Sequence, residues 1–187
     1  MKEKNIKEKE NILNQDFTTT SINQKWSADI TYIHTEKDGW TYLASVEDLY
    51  SRKIIGWAFG KTMDAELAKK ALKNASLNVK KTKGIILQTD LGSQYTSNIF
   101  EEYLAELKIR HSYSRKGCPY DNSCIESFHS ILKKEEVNLK KYKDFKDAYN
   151  AIFEFIEAWY NRERIHSCLN YRTPDEVYSN LEKSLVA

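Results

Sequence analysis

Gly84-Ile85-Ile86-Leu87-Gln88-Thr89-Asp90-Leu91-Gly92 decides the fold. Its short apolar run has the profile of a strand buried on both faces, and Asp90-Leu91-Gly92 ends it as a turn, with Gly92 letting the backbone bend sharply. Before it, Ala68, Ala71, Leu72, Ala75 and Val79 fall at helical spacing. Thr62 is the expected N-cap of that helix, with Asp64 and Glu66 near the positive end of its dipole. After it, a helix over Ser97 to Leu107 leads to a brief strand around Ile109 to Tyr113. Strand, helix, strand, helix, strand is the order of parallel pairing through crossovers.

Further upstream the period is two. Ser27 to His34, Trp40 to Asp48 and Lys53 to Phe59 each suit a strand, separated by Glu36-Lys37-Asp38-Gly39 and by Tyr50-Ser51-Arg52. Connections this short favour antiparallel neighbours, so the opening is a three-strand meander. Two long helices, Tyr120 to Val137 and Asp144 to Arg162, are expected to close the chain, the second with Phe145, Ala148, Ile152, Ile156 and Trp159 on one stripe. The fold class is therefore α/β, a mixed five-stranded sheet (antiparallel meander plus parallel strands) flanked by helices. Residues 1–22 are polar, weakly periodic and without Trp or Tyr, the composition of a flexible N-terminal arm. Residues 23–182 make one domain, and 183–187 a C-terminal tail.

Composition narrows the classes of function. The 187 residues are 41% hydrophobic and 12% aromatic, enough for a core, and 29 basic against 27 acidic side chains give a net charge of only +2. Any polyanion site must be local, and the basic residues do concentrate in 61–90 and 108–143. No run approaches the ~18 apolar residues of a membrane span, and the charged N-terminus does not look like a secretion signal. A cytoplasmic protein without a membrane partner is expected. Cys118, Cys124 and Cys168 are too few and too irregular for a disulfide framework.

Three carboxylates stand out by position. Asp29 interrupts an apolar, β-branched strand, where a half-buried charge needs a partner. Asp90 ends a parallel strand, where ligand sites of open α/β sheets form. Glu126 lies on the helix from Tyr120, within about 60° of Asn122, His129 or Ser130, and Lys133 at 100° per residue. The interval from Asp90 to Glu126 carries little weight in a chain with 27 acids. The residue types carry more. Three hard oxygen donors suit Mg²⁺ or Mn²⁺, and two such ions would clamp the attacking and leaving oxygens of a phosphoryl displacement. A zinc site from Cys118, Cys124 and His129 is the weaker alternative, since their spacing matches no knuckle. His34, His111 and His166 read first as structural, although Asn161, Arg162 and Arg164 crowd His166.

Ordered blocks then make the chain recognisable: Asn11 to Phe17, Asn23 to Ile33, Asp48 to Trp57, Thr89 to Ser97, Ser114 to Phe128 with Leu132 to Glu135, and Tyr160 to Pro174. Together they closely resemble the catalytic core of bacterial insertion-sequence transposases of the IS-three type, relatives of retroviral integrases. The resemblance implies an RNase H-like fold for residues 23–182. It also implies an Asp-Asp-Glu polynucleotidyl transferase that cleaves a DNA strand at an element end and joins the freed 3′ hydroxyl to target DNA. Asp29, Asp90 and Glu126 would then be the catalytic metal ligands, for two ions of Mg²⁺ or Mn²⁺. Lys133, Arg115, Lys116, Asn122, Arg164 and His166 would be the DNA contacts. Gln88-Thr89-Asp90 stands where the family commonly has His-Ser-Asp, and nothing before Trp26 resembles the family's helix-turn-helix. The implied partners are element-end and target DNA, further copies of the chain on that DNA, and an upstream helix-turn-helix protein or a full-length transposase. The alternative is a non-catalytic truncated transposase acting as a DNA-binding partner or inhibitor.

Overall fold

The structure, a computed structural model, describes residues 9–77, 79–115 and 117–184. Strands β1 (Lys25–Thr35), β2 (Gly39–Asp48) and β3 (Ile54–Gly60) form the expected antiparallel meander. Strand β4 (Ile86–Thr89) then pairs parallel to β1, and β5 (Arg110–Tyr113) pairs parallel to β4, giving the order β3-β2-β1-β4-β5. The crossovers are helices α1 (Ala65–Ser76) and α2 (Asn98–Leu107). Among the described residues, no helix is long and apolar enough to cross a membrane.

Alternation along the strands feeds two cores. Trp26, Ala28, Ala44, Val46, Ala58 and Leu87 pack against Leu67, Ala68 and Leu72 of α1 and Phe100 and Leu104 of α2. On the opposite face, Ile33, Leu43, Trp57 and Phe59 meet Ile125, Phe128 and Leu132 of α3 (Ser123–Glu135) and Ala148 and Ile152 of α4 (Phe145–Glu154). Helix α1 approaches the sheet very closely because Gly56 lies beneath Ala71 and Ala75. A Cβ built on Gly56 would stand 2.3 Å from the Ala75 nitrogen and 2.6 Å from the Ala71 carbonyl oxygen.

Several local expectations are corrected. Asp64, not Thr62, caps α1, its carboxylate accepting from the Leu67 N–H at 2.9 Å while Thr62 Oγ1 donates to Asp64 at 2.6 Å. The helix expected from Tyr120 to Val137 is three pieces: a 3₁₀ turn over Pro119–Asn122, α3 itself, and a second 3₁₀ turn over Val137–Leu139. Helix α4 passes into a π-helical turn at Phe155–Tyr160. That wider turn rotates the stripe, so Tyr160 is buried where the 3.6-residue period puts Trp159, which is exposed. The chain does not close on two helices, because α5 (Pro174–Ser184) follows and buries Val177 and Tyr178; of the tail from 183, residues 185–187 lie outside the described residues. Residues 9–22, assigned to an arm that begins at 1, are docked, while 1–8 lie outside the described residues. Leu13 packs with Leu49 and Cys124, Asn11 and Gln15 donate to Asp121 at 2.8 Å, and Ile22 is buried. Apolar packing by Leu13, Phe17 and Ile22 and the hydrogen bonds to Asp121 together anchor it.

A polar corner lies between β2, α3 and the segment after α4. Glu47 and His166 are both buried there and line a 280 Å³ cavity with Arg52, Cys124 and Cys168. Glu47 Oε1 is 3.8 Å from Arg52 Nη1, whereas Glu47 Oε2 and His166 Nε2 have no hydrogen-bond partner. Burial pushes the Glu47 carboxyl up to about 7. Burial, then the charges of Arg164 and Arg52, hold His166 down at about 4.

Gly56→Ala should destabilise the protein by about 3 kcal/mol, since the added methyl meets helix backbone rather than a movable side chain; an unchanged urea midpoint would show that α1 can shift. A second test concerns pH. The raised Glu47 carboxyl keeps its proton in the folded state, so its stabilising share is full below the unfolded value of 4.5 and is lost as pH rises towards about 7. His166 acts oppositely, losing stability as pH falls from 6.5 to about 4. The stability of Glu47→Gln relative to the unmodified chain should therefore increase between pH 4.5 and 7, measured by urea unfolding at each pH, and parallel profiles would refute the assignment.

Candidate active site

The period of β1 sets the site. Trp26 and Ala28 enter the α1–α2 core, so Ser27, Asp29, Thr31 and Ile33 turn towards α3. In the parallel pair Ser27 lies beside Gln88. Two residues further along each chain come Asp29 and Asp90, so both carboxylates leave the pair at its carboxyl end, where such sheets gather ligands. Ser27 Oγ donates to Asn122 Oδ1 at 2.9 Å, which clips the start of α3 to β1. One turn along α3, Glu126 is exposed, and His129 is buried with Nδ1 3.5 Å from Asp29 Oδ2.

The turn after Asp90 is closed differently from the sequence expectation. Gly92 is not among the residues of positive φ, and the bend is held by its N–H donating to Asp90 Oδ1 at 2.9 Å. Gln88 Nε2 donates to Ser114 Oγ at 2.9 Å, while Thr89 Oγ1 is 2.9 Å from His111 Nε2. His111 thus holds the end of β4, a structural role.

Asp90 and Glu126 both feel the charge of Asp29. Burial raises the Asp90 carboxyl, partly offset by the Gly92 N–H, and the Asp29 charge raises it further. Glu126 is raised by burial and again by Asp29, with His129 opposing. Tyr95, wholly buried with its hydroxyl unpartnered, is held well above its ordinary value by burial and by Asp29 and Asp90. Among the described residues no lysine or arginine forms an ion pair with any of the three acids. Clustered acids without a cation are the donor set and the charge deficit that an oxygen-seeking divalent ion would answer. The carboxylates are not drawn in around a point, however: among the described residues no three His, Cys, Asp or Glu side chains stand close enough to hold a metal. The same observation removes the Cys118, Cys124 and His129 zinc alternative. Tyr95 is a site residue that sequence reasoning missed; the only available signal was its place in the block from Thr89 to Ser97.

The DNA contacts expected from the sequence divide sharply. Lys133, two turns beyond Glu126, reaches the site's edge, donating to the Tyr32 carbonyl, and burial lowers its ammonium. Arg115 is half-exposed, although its guanidinium and N–H are engaged by buried Asp121, whose carboxyl the arginine holds down at about 2. Asn122 is buried as the α3 clip, and His166 is buried against Tyr160, so neither presents a polar atom to a surface-bound strand. Arg164 makes a forked pair with Glu135, 2.9 to 3.1 Å, and is spent on joining the π-helical segment to α3. Lys116 lies outside the described residues.

A family model described as integrase core domain matches residues 19–119, and a second of the same description matches 107–174. The transposase for insertion sequence element IS904 of Lactococcus lactis subsp. lactis (strain IL1403) is 40% identical over 166 residues, 89% of this chain and 65% of that protein. Transposase InsF for insertion sequence IS3A of Escherichia coli (strain K12) is 42% identical over 167 residues, 89% of this chain and 58% of that protein. The chain therefore spans about three fifths of the length of these curated relatives. Among solved structures, a chain of the simian T-cell lymphotropic virus intasome in complex with PP2A regulatory subunit B56 gamma matches with a TM-score of 0.66 at 20% identity, covering 86% of this chain and 55% of that one. The HTLV-2 integrase catalytic core domain in complex with magnesium matches with a TM-score of 0.64 at 17% identity, covering 86% and 99%. Those two likenesses carry the fold alone, which is RNase H-like. A family model spanning more than half the chain, relatives at 40% and 42% identity and this sheet order lead to one conclusion: the chain belongs to the integrase core domain family, beside the transposases of IS3-type insertion sequences.

Proposed function

We propose that this chain is the catalytic core of a DNA transposase, a polynucleotidyl transferase with Asp29, Asp90 and Glu126 as its working carboxylates. The reading rests above all on the placement of Asp29 and Asp90 two residues past the Ser27–Gln88 pair of parallel strands, with the Asp29 charge felt by both Asp90 and Glu126. Magnesium or manganese, as two ions, would supply activation of the attacking oxygen and stabilisation of the leaving one. Asp29 and Asp90 offer their oxygens from adjacent positions of the sheet, and Glu126 offers a third carboxylate from a helix that Asn122 fixes to β1. The His129 imidazole stands 3.5 Å from Asp29. Lys133 and the exposed part of Arg115 meet phosphates on either side. The substrate is DNA, first at an element end and then as target, and joining two ends calls for more than one copy of the chain. A helix-turn-helix protein or a full-length transposase would supply recognition of the end sequence, and the cytoplasm is where these partners meet.

Strand resolution on a pre-branched DNA oligonucleotide, which bypasses end recognition, tests the reading. The chain should join strands with Mg²⁺ or Mn²⁺, and Asp90→Asn should lower the rate on the order of a thousandfold while leaving DNA binding in place. Binding without cutting or joining in either metal would overturn autonomous catalysis. The pH profile is a second test. The metal ligands must be ionised, and burial raises Asp90 and Glu126 in the metal-free chain, so at subsaturating Mg²⁺ the rate should climb with pH. Lys133 loses its proton below its ordinary 10.5, so the rate should fall again on the alkaline side. Lys133→Arg keeps its charge throughout, and an alkaline limb that survives this change would show that Lys133 does not cause it.

A further inference from the structure

The end of β4 is held by more than its ladder. The Ser114 N–H donates to the Thr89 carbonyl at 2.8 Å, which already closes the pairing of β4 with β5. Thr89 is nevertheless tied through its side chain into a second set of polar groups. His111 stands opposite Leu87 in the register, with Nε2 2.9 Å from Thr89 Oγ1 and Nδ1 2.6 Å from Glu101 Oε1. Tyr113 stacks on the imidazole, ring centroids 3.9 Å apart, and its hydroxyl donates to the same carboxylate oxygen. Burial, then Glu101, push that hydroxyl far above its ordinary range, so it stays a donor. The His111 side chain is only 7% exposed, so it cannot trade these partners for water.

The hydrogens give the chain of bonds a direction. A hydroxyl has one hydrogen, and Thr89 Oγ1 gives it to the Asp90 carbonyl oxygen at 2.9 Å, so His111 Nε2 is the donor to Thr89. Glu101 lies in the first turn of α2, where the positive end of the helix favours a carboxylate. The order is therefore Glu101, His111, Thr89, Asp90, from the start of α2 through β5 to the residue that follows β4. Residues 90–97 join the same two ends along the backbone. That segment is pinned near its start by the Gly92 N–H on Asp90 Oδ1, and at its far end by Ser97 Oγ accepting from the Phe100 N–H at 3.2 Å. Side-chain bonds thus close the loop after Asp90 into a ring that ends on Asp90's own carbonyl. Packing alone would be served as well by an apolar side chain, as it is at Leu87.

We infer that His111, aimed by Glu101 and acting through Thr89, is a positioning residue for Asp90 and thereby sets the chain's affinity for divalent ions. The inference rests on the reading of Asp90 as a metal ligand. A ligand has to be held within about 0.5 Å of its working position, and the groups behind it contribute to that precision.

Mn²⁺ binding to the full chain, read from the electron paramagnetic resonance signal of the free ion, tests this apart from catalysis. His111→Phe keeps a ring against Tyr113 and loses both nitrogens, and Thr89→Val keeps the shape and loses the hydroxyl. Each should weaken Mn²⁺ binding about tenfold. The double variant should be no weaker than the poorer single one, because both changes break one chain of bonds. His111→Gln, whose amide N–H can reach Thr89, should recover most of the affinity, and metal-free binding of a DNA duplex should be the same throughout. Glu101→Ala, at a partly exposed helix position, should also weaken Mn²⁺ binding and covers the case in which a buried variant does not fold. Unchanged Mn²⁺ affinity in folded His111→Phe or in Glu101→Ala, or losses that multiply in the double variant, would overturn the inference. Asp90→Asn separates the two readings. If it abolishes Mn²⁺ binding while the His111 and Glu101 variants leave it intact, the positioning role falls and the carboxylate site stands. If Asp90→Asn binds Mn²⁺ as the unmodified chain does, the metal-site reading fails and the inference falls with it.

Discussion

Strand β1 is paired on both edges, antiparallel to β2 from Trp26 to Thr35 and parallel to β4 only from Lys25 to Ser27, and the rest of the structure depends on that asymmetry. The long edge fixes the register of the meander. The short edge stops before Asp29, so β1 and β4 part there and β1 runs on paired to β2 alone. A one-residue slip in β1 would turn Asp29 into the α1–α2 core and bring Ala28 to the site. Core packing by Trp26, Ala28 and Ile33 therefore enforces the position of a charge that would not choose its place by itself.

Helix α3 is the second support. Ile125, Phe128 and Leu132 bury its inner stripe, and Ser27 pins its start through Asn122. Those contacts set the outer ridge, with Glu126 near Asp29 and Lys133 over Tyr32. One rigid element thus carries both the third carboxylate and Lys133. The 3₁₀ turn before α3 is held by Asp121, which gathers Asn11, Gln15 and Arg115, so the segment before β1 is part of the site's scaffold.

Behind α3, polar groups are buried at some expense. Glu47 and His166 have each shifted to the neutral side of their ordinary ranges, the response expected of ionisable groups taken out of water. The π-helical turn belongs to this region, turning Tyr160 inwards towards His166 and freeing Trp159 to donate to Glu135. Arg164, which sequence alone offers to DNA, completes that junction instead.

The sequence by itself determined the order and type of the sheet elements and the family. Apolar periodicity and short connections are local signals, and the blocks around Asp29, Asp90 and Glu126 are dense enough to identify. It also placed Asp29 and Glu126 on definite faces, since periods of two and 3.6 follow from backbone geometry alone. Tertiary structure decided the rest. Which basic residues stay free cannot be read from composition, because Arg164 finds a carboxylate 29 residues away on another helix and Arg115 finds one across a bent loop. Docking of Leu13, Asn11 and Gln15 depends on a gap between elements that no local pattern describes, and α5 and the π-helical turn are fixed by what they pack against.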